Sequence, residues 1–193
     1  CSMGRKNKEL PRHLLVLRTS AMGDVAMLPH ALRALMSAYP GLRVTVATRA
    51  MFRPFFEGLD VGFLDVDTQG AHRSLVGMWR LAAQARRLGV DAVADVHDVL
   101  RSKTFRLLMR LHGVPEASIY KGRAEKREFI RCGGRGMEPL RHTVLRYCDV
   151  FRKLGFMLDD PAPAVHRERP NPFGEKHGVW VGFAPFSAHR GKI

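Results

Sequence analysis

A chain of 193 residues, 46% hydrophobic and 26% charged, holds enough apolar material for one substantial core with room for an appendage. Its net charge of +14 implies an anionic partner: nucleic acid, an acidic membrane face or a phosphorylated substrate. No apolar run approaches the roughly 20 residues of a membrane span, no secretory signal is visible, and Cys1, Cys132 and Cys148 lack the CxxC spacing of a zinc ribbon.

Residues Cys1 to His13 are polar and basic and read as a mobile arm. The arm either touches anionic lipid headgroups or is a plain solvated tail. Leu14-Leu15-Val16-Leu17 then reads as a short strand buried on both faces of a parallel sheet. A turn follows through small and polar residues, with Gly23 expected where the backbone bends tightly. From Asp24 onward Val25, Leu28, Leu32, Leu35 and Met36 recur at helical spacing, and Tyr39-Pro40-Gly41 ends that helix. Such a turn lies at the carboxyl ends of the strands, where open α/β sheets bind ligands. Taken alone, Asp24 either serves that edge or merely complements the helix dipole.

Leu42 to Thr48 reads as a second strand, which makes a βαβ unit. Met51 to Glu57 predicts a short helix interrupted by Pro54, and Val61 to Val66 a third strand. Ser74 is placed to cap a helix that runs to about Leu88 and ends at Gly89. Val90 to Val96 gives a fourth strand, Leu100 to Leu111 a helix, and Ala117 to Tyr120 a weaker strand. The alternation predicts an α/β fold, a Rossmann-like parallel sheet flanked by helices.

Lys121 to Glu138 reads as a long flexible loop. Its Lys126, Arg127, Arg131 and Arg135 either clamp phosphates on a substrate or form a solvated charge run. A helix from about Arg141 to Leu154-Gly155-Phe156 follows. Neither a GxGxxG turn after a strand nor a GxxxxGK[ST] loop is present, which disfavours dinucleotide and P-loop enzymes. The basic patches lack the interleaved aromatics of a base-stacking platform, so no specific nucleic acid is expected. No metal-ligand cluster stands out, and Asp95-Val96-His97-Asp98 is a site only on paper.

Arg18-Thr19-Ser20-Ala21-Met22-Gly23-Asp24-Val25, followed by Leu28-Pro29, resembles the amino-terminal signature of the ADP-heptose:lipopolysaccharide heptosyltransferases. Asp95-Val96-His97-Asp98-Val99-Leu100-Arg101-Ser102-Lys103 resembles that family's Asp-x-Gln-x-x-x-Lys/Arg-Ser step, with His97 where Gln is usual. Arg141-His142-Thr143-Val144 resembles the start of its His-containing helix. The resemblance runs from His13 to Lys192 but covers the front half of a typical member. It implies the GT-B architecture, two Rossmann-like domains across a cleft, the first holding the acceptor and the second ADP-heptose. Residues 1–158 correspond to the acceptor domain and 159–177, rich in proline and charge, to an interdomain linker. Gly178 to Pro185 reads as a buried strand opening a donor domain of which 178–193 is the start.

In that family the Asp at position 24 is the proposed catalytic base. Arg18, Thr19, Ser20, Met22, Gly23, His97, Arg101, Ser102, Lys126, Arg127 and His142 become acceptor-binding candidates. Ser187 and Lys192 match donor-phosphate positions, although a terminal basic loop also reads simply as solvent-exposed. The implied reaction is inverting, metal-independent and free of any cofactor, with ADP-heptose as donor and a lipid A-linked inner-core sugar acid as acceptor. The implied location is cytoplasmic, peripheral on the inner membrane, and the chain alone is expected to be inactive. Two other readings stay open: a basic nucleic-acid module, and a GT-B enzyme for another anionic acceptor.

Overall fold

Leu14, Leu15, Val16 and Leu17 are almost wholly buried because β1 (His13–Leu17) runs in the middle of a sheet. The computed structural model describes residues 10–133, 139–161, 174–175 and 177–182. The chain divides into two units, Cys1–Ala162 and Pro163–Ile193. The sheet lies in the first. After β1 come β2 (Arg43–Thr48), β3 (Gly62–Asp65), β4 (Ala92–Asp95) and β5 (Glu116–Ser118), all parallel, in the order β3-β2-β1-β4-β5. The predicted α/β class, a Rossmann-like parallel sheet flanked by helices, is the one observed.

Alternate strand residues feed two cores. Leu14, Val16, Val44, Val46, Ala92 and Ala94 face α1 (Met22–Ala38) and the later helix α5 (Thr143–Lys153). Leu15, Leu17, Ala47, Leu64 and Val93 face α2 (Leu75–Arg87) and α3 (Leu100–Leu111). Ser74 caps α2 as its sequence position suggests, its hydroxyl accepting from the Gly77 amide at 3.1 Å. His13 pins the amino end of the sheet: Nδ1 lies 3.1 Å from the Leu88 carbonyl and Nε2 2.8 Å from the Thr45 hydroxyl. The carbonyl can only accept, so Nδ1 carries the proton.

Three expectations need correcting. The first helix starts at Met22, so Gly23 stands inside it rather than in a tight turn and has no left-handed backbone to require glycine. The loop expected over 121–138 contains α4 (Arg123–Arg131). Its run of Arg, Ala, Glu and Lys has high helix propensity, and none of it is buried, so propensity rather than packing shapes it. Third, Gly178 to Gly182 carry no strand, and Val179 and Val181 are 93% and 88% exposed. A strand buried on both faces exists only with neighbours to pair with, and no described residue of the second unit supplies one. No helix among the described residues is long and apolar enough to cross a membrane.

Candidate functional site

Strand order reverses between β1 and β4, since β1 connects outward to β2 while β4 arrives from the opposite side. The crevice beyond the carboxyl ends of two such strands is where open α/β sheets take ligands. Here it is bounded by Arg18-Thr19-Ser20 after β1 and Val96-His97-Asp98 after β4. An open cleft of about 500 Å³ sits above it.

Arg18 leaves β1 with its guanidinium buried. One arm donates to the Val96 carbonyl and the other pairs with the Asp24 carboxylate. The guanidinium also lies 5.7 Å from the centroid of the Tyr147 ring. The Tyr147 hydroxyl donates to the Asp24 backbone carbonyl at 2.9 Å, tying α5 to the first turn of α1. Burial pushes the Tyr147 phenol up to about 12, so it remains a donor at neutral pH. Asp24 is therefore held through both its backbone and its side chain. The side chain is still 43% exposed and lines the cleft. Both readings of Asp24 hold together: it is a first-turn carboxylate on the helix dipole and it faces the ligand edge.

His97 closes the other wall. Its Nδ1 lies 3.2 Å from the Thr19 hydroxyl and its Nε2 3.0 Å from the Ser20 hydroxyl. Burial lowers its pKa to about 4, with the charges of Arg18 and Lys121 pushing the same way. At neutral pH the ring is uncharged, so one nitrogen donates to a hydroxyl while the other accepts. The ring thus stitches the β1 and β4 turns together. Asp95 sets the turn beneath it, with Oδ1 accepting the amides of His97 and Asp98 at 2.9 and 2.8 Å and Oδ2 lying 3.0 Å from Arg106.

The remaining wall is cationic. Lys121 donates to the Asp98 carbonyl at 2.7 Å, and burial lowers its pKa from the usual lysine value. Arg146 is held by the Arg141 and Tyr120 carbonyls at 2.9 and 3.1 Å. Arg123 and Lys126, three apart on α4, turn the same helix face to the cleft and make no ion pair among the described residues. These cations face one carboxylate at the base, so the cleft suits a ligand that carries several negative charges and also offers a group to Asp24.

Among the sequence candidates, Arg18, Ser20, Asp24, His97 and Lys126 line this cleft, with Thr19 one layer behind on His97. Met22 and Gly23 are exposed at the start of α1. Arg101 and Ser102 do not line this cleft; with Met78 and Phe105 they line a small cavity on the α2 side that shares His97 and Val99 with it. The Ser102 hydroxyl is taken up by the backbone of Val99, at 2.9 and 3.0 Å. Arg127 follows Lys126 by one helical step and does not line the cleft. His142 is the N-cap of α5, its Nδ1 accepting from the Val144 amide at 3.4 Å. Ser187 and Lys192 lie outside the described residues, as does Arg135. Lys121, Arg123, Arg146 and Tyr147 went unsingled in the sequence. The three-residue spacing of Arg123 and Lys126 was the one available signal, legible only once 123–131 is read as a helix. Among the described residues no three His, Cys, Asp or Glu side chains come together as metal ligands.

No protein-family model matches this sequence, and a sequence search of curated proteins finds no match. Solved structures are similar. A glycosyl transferase family 9 protein from Veillonella parvula superposes with a TM-score of 0.56 at 22% identity, over 75% of this chain and 42% of that one. The E. coli heptosyltransferase WaaC with ADP gives 0.55 at 19% identity, over 76% and 49%, and WaaC with ADP-2-deoxy-2-fluoro heptose gives 0.54 at 19%, over 78% and 50%. The parallel α/β fold of the chain matches part of the fold of those structures, and the chain spans half or less of their length.

Proposed function

We propose that this chain forms the acceptor-binding half of an inverting glycosyltransferase that moves heptose from ADP-heptose to the inner core of lipopolysaccharide. The observation that carries the reading is Asp24, anchored by Arg18 and Tyr147 at the strand-order reversal with its carboxylate open to a cleft walled by Lys121, Arg123, Lys126 and Arg146. An inner-core sugar acid linked to phosphorylated lipid A brings both the negative charges the wall matches and a hydroxyl for Asp24.

In the proposed step Asp24 takes the proton as the acceptor oxygen attacks the anomeric carbon. A new glycosidic carbon–oxygen bond forms while the bond from the anomeric carbon to the diphosphate breaks, and ADP leaves with that electron pair. Arg18 orients the carboxylate, and the neutral His97 ring holds the floor of the cleft without adding charge. Ser187 and Lys192 are proposed for the departing diphosphate. The transfer is proposed to need no metal or cofactor.

Titration calorimetry with a deacylated lipid A fragment bearing its inner-core sugar acid tests the reading, at low and moderate salt, with a short RNA and ADP as controls. Saturable fragment binding that survives the added salt, weakened by Lys121→Ala or Lys126→Ala but not by Arg127→Ala, is expected. Binding of the RNA alone, abolished by salt, overturns the acceptor assignment.

A further inference from the structure

Helices α2 and α3 together hold 25 residues and not one Asp or Glu, but seven cations. Both follow strands of a parallel sheet, so their amino ends share the carboxyl edge, and both bury one stripe against the same sheet face. Met78 and Leu81 of α2 meet Phe105 of α3 at the small cavity between them. The outward sides of the two helices thus form one continuous surface.

That surface is apolar where a soluble face would be polar. Leu75, Val76 and Trp79 on α2 are 73%, 59% and 60% exposed, and Leu100 and Leu111 on α3 are 82% and 72% exposed. Leu75, Val76 and Trp79 share one helix face at the amino end of α2, and Leu100 opens α3 beside it. Around them stand Arg73, Arg80, Arg86 and Arg87, exposed and without an ion pair among the described residues. Lys103 and Arg110 meet acids no closer than 3.8 and 3.9 Å and keep most of their surface in solvent.

We infer that the outward face of α2 and α3 docks on an anionic lipid bilayer, with Leu75, Val76, Trp79 and Leu100 entering the acyl boundary and the flanking arginines resting on headgroup phosphates. Exposed Leu and Trp rimmed by Arg and Lys, on helices that carry no acid of their own, is the composition of an interfacial amphipathic surface. A second protein would need acids opposite every one of these cations, whereas an anionic bilayer supplies negative charge at any register. Leu75, Val76, Trp79 and Leu100 lie at the amino ends of the two helices, on the carboxyl edge of the sheet that also carries the cleft, so docking there sets the cleft mouth beside the headgroup layer. That last alignment rests on the proposed function; the docking itself does not.

The test uses the full chain with phosphatidylglycerol-containing vesicles and neutral phosphatidylcholine vesicles, neither carrying an inner-core acceptor. Trp79 and Trp180 are the two tryptophans, so Trp180→Phe leaves Trp79 as the sole reporter. Co-sedimentation with the anionic vesicles, a blue shift of Trp79 emission and its quenching by brominated acyl chains are expected. The combined Leu75→Ser, Val76→Ser and Trp79→Ser variant should lower partitioning roughly tenfold at physiological salt. Circular dichroism confirms that this variant keeps its fold. Sedimentation without Trp79 quenching, or undiminished partitioning of the triple variant, overturns the proposal. So does a dimer in lipid-free solution that the triple substitution dissolves, since the face then belongs to a second copy. The acceptor fragment is water-soluble, so its titration fails or succeeds independently of the vesicles.

Discussion

The α1/α5 side of the sheet and the α2/α3 side each bury an apolar core, and they differ outside. On the first, polar atoms are tied down one by one: Arg18 to Val96 and Asp24, and Tyr147 to Asp24. On the second, buried Phe105 and Met109 need no such bonds, while the outer surface leaves leucines and a tryptophan in solvent. One side uses its side chains to position a carboxylate. The other presents a broad surface that needs no register. A single sheet thus separates a site that requires geometry from a face that requires composition.

If the two interiors are equivalent, emptying either should cost the same. Tyr147→Ala and Phe105→Ala each remove a fully buried ring, and each is expected to destabilise by about 3–5 kcal/mol in urea unfolding. A cost several-fold lower on one side would break the equivalence. Arg18→Met comes next. It removes the partner that holds the Asp24 carboxylate, and it should cost about 1–3 kcal/mol while weakening fragment binding in calorimetry. Unaltered fragment binding would detach the ion pair from the site.

Burial also sets a response to acid. His97 has a folded pKa near 4, below its unfolded value, so the unfolded chain gains a proton first as pH falls. Its contribution is fully present above about pH 6.5 and is lost progressively as pH drops toward 4. His13 and His72, both lowered by burial, act in the same direction. His97→Gln keeps a donor and an acceptor for Thr19 and Ser20 without titrating. Melting curves of this variant should therefore fall less steeply between pH 6.5 and 4. Parallel slopes would place the acid sensitivity on the other two histidines. Tyr147→Phe, which removes the single bond to Asp24, is smaller still at about 1 kcal/mol.

What the sequence made legible divides along chemical lines. Apolar periodicity found every strand of the first unit and α1, α2, α3 and α5, because burying Leu and Val on one face leaves a repeating trace. It missed α4, where no residue is buried and charge masks a good helix former. Asp24 was legible from its local signature, and its fixing by Tyr147 was not, since 123 residues separate the two. Arg101 shows where sequence proximity stops informing. Proximity to the β4 edge suggested the cleft, and the side chain lines the neighbouring cavity that shares His97 with it. Gly178 to Gly182, the described part of the strand expected to reach Pro185, carry no strand for a related reason: apolar composition proposes a strand, and a pairing neighbour makes one.

The smallest predicted stability effect separates the two sides most sharply. Leu75, Val76 and Trp79 are more than half exposed, so replacing them with serine removes little packing, and the change should stay within about 0.5 kcal/mol of zero. Tyr147, fully buried, allows no such freedom. If the serine variant melts where the parent does yet leaves anionic vesicles, the outer face is maintained for what it touches rather than for the fold. If it melts several degrees lower, those side chains are packed in solution, and α2 belongs with the interior-determined parts of the molecule. Because the same variant is read for stability and for partitioning, a folding defect cannot pass for a docking defect.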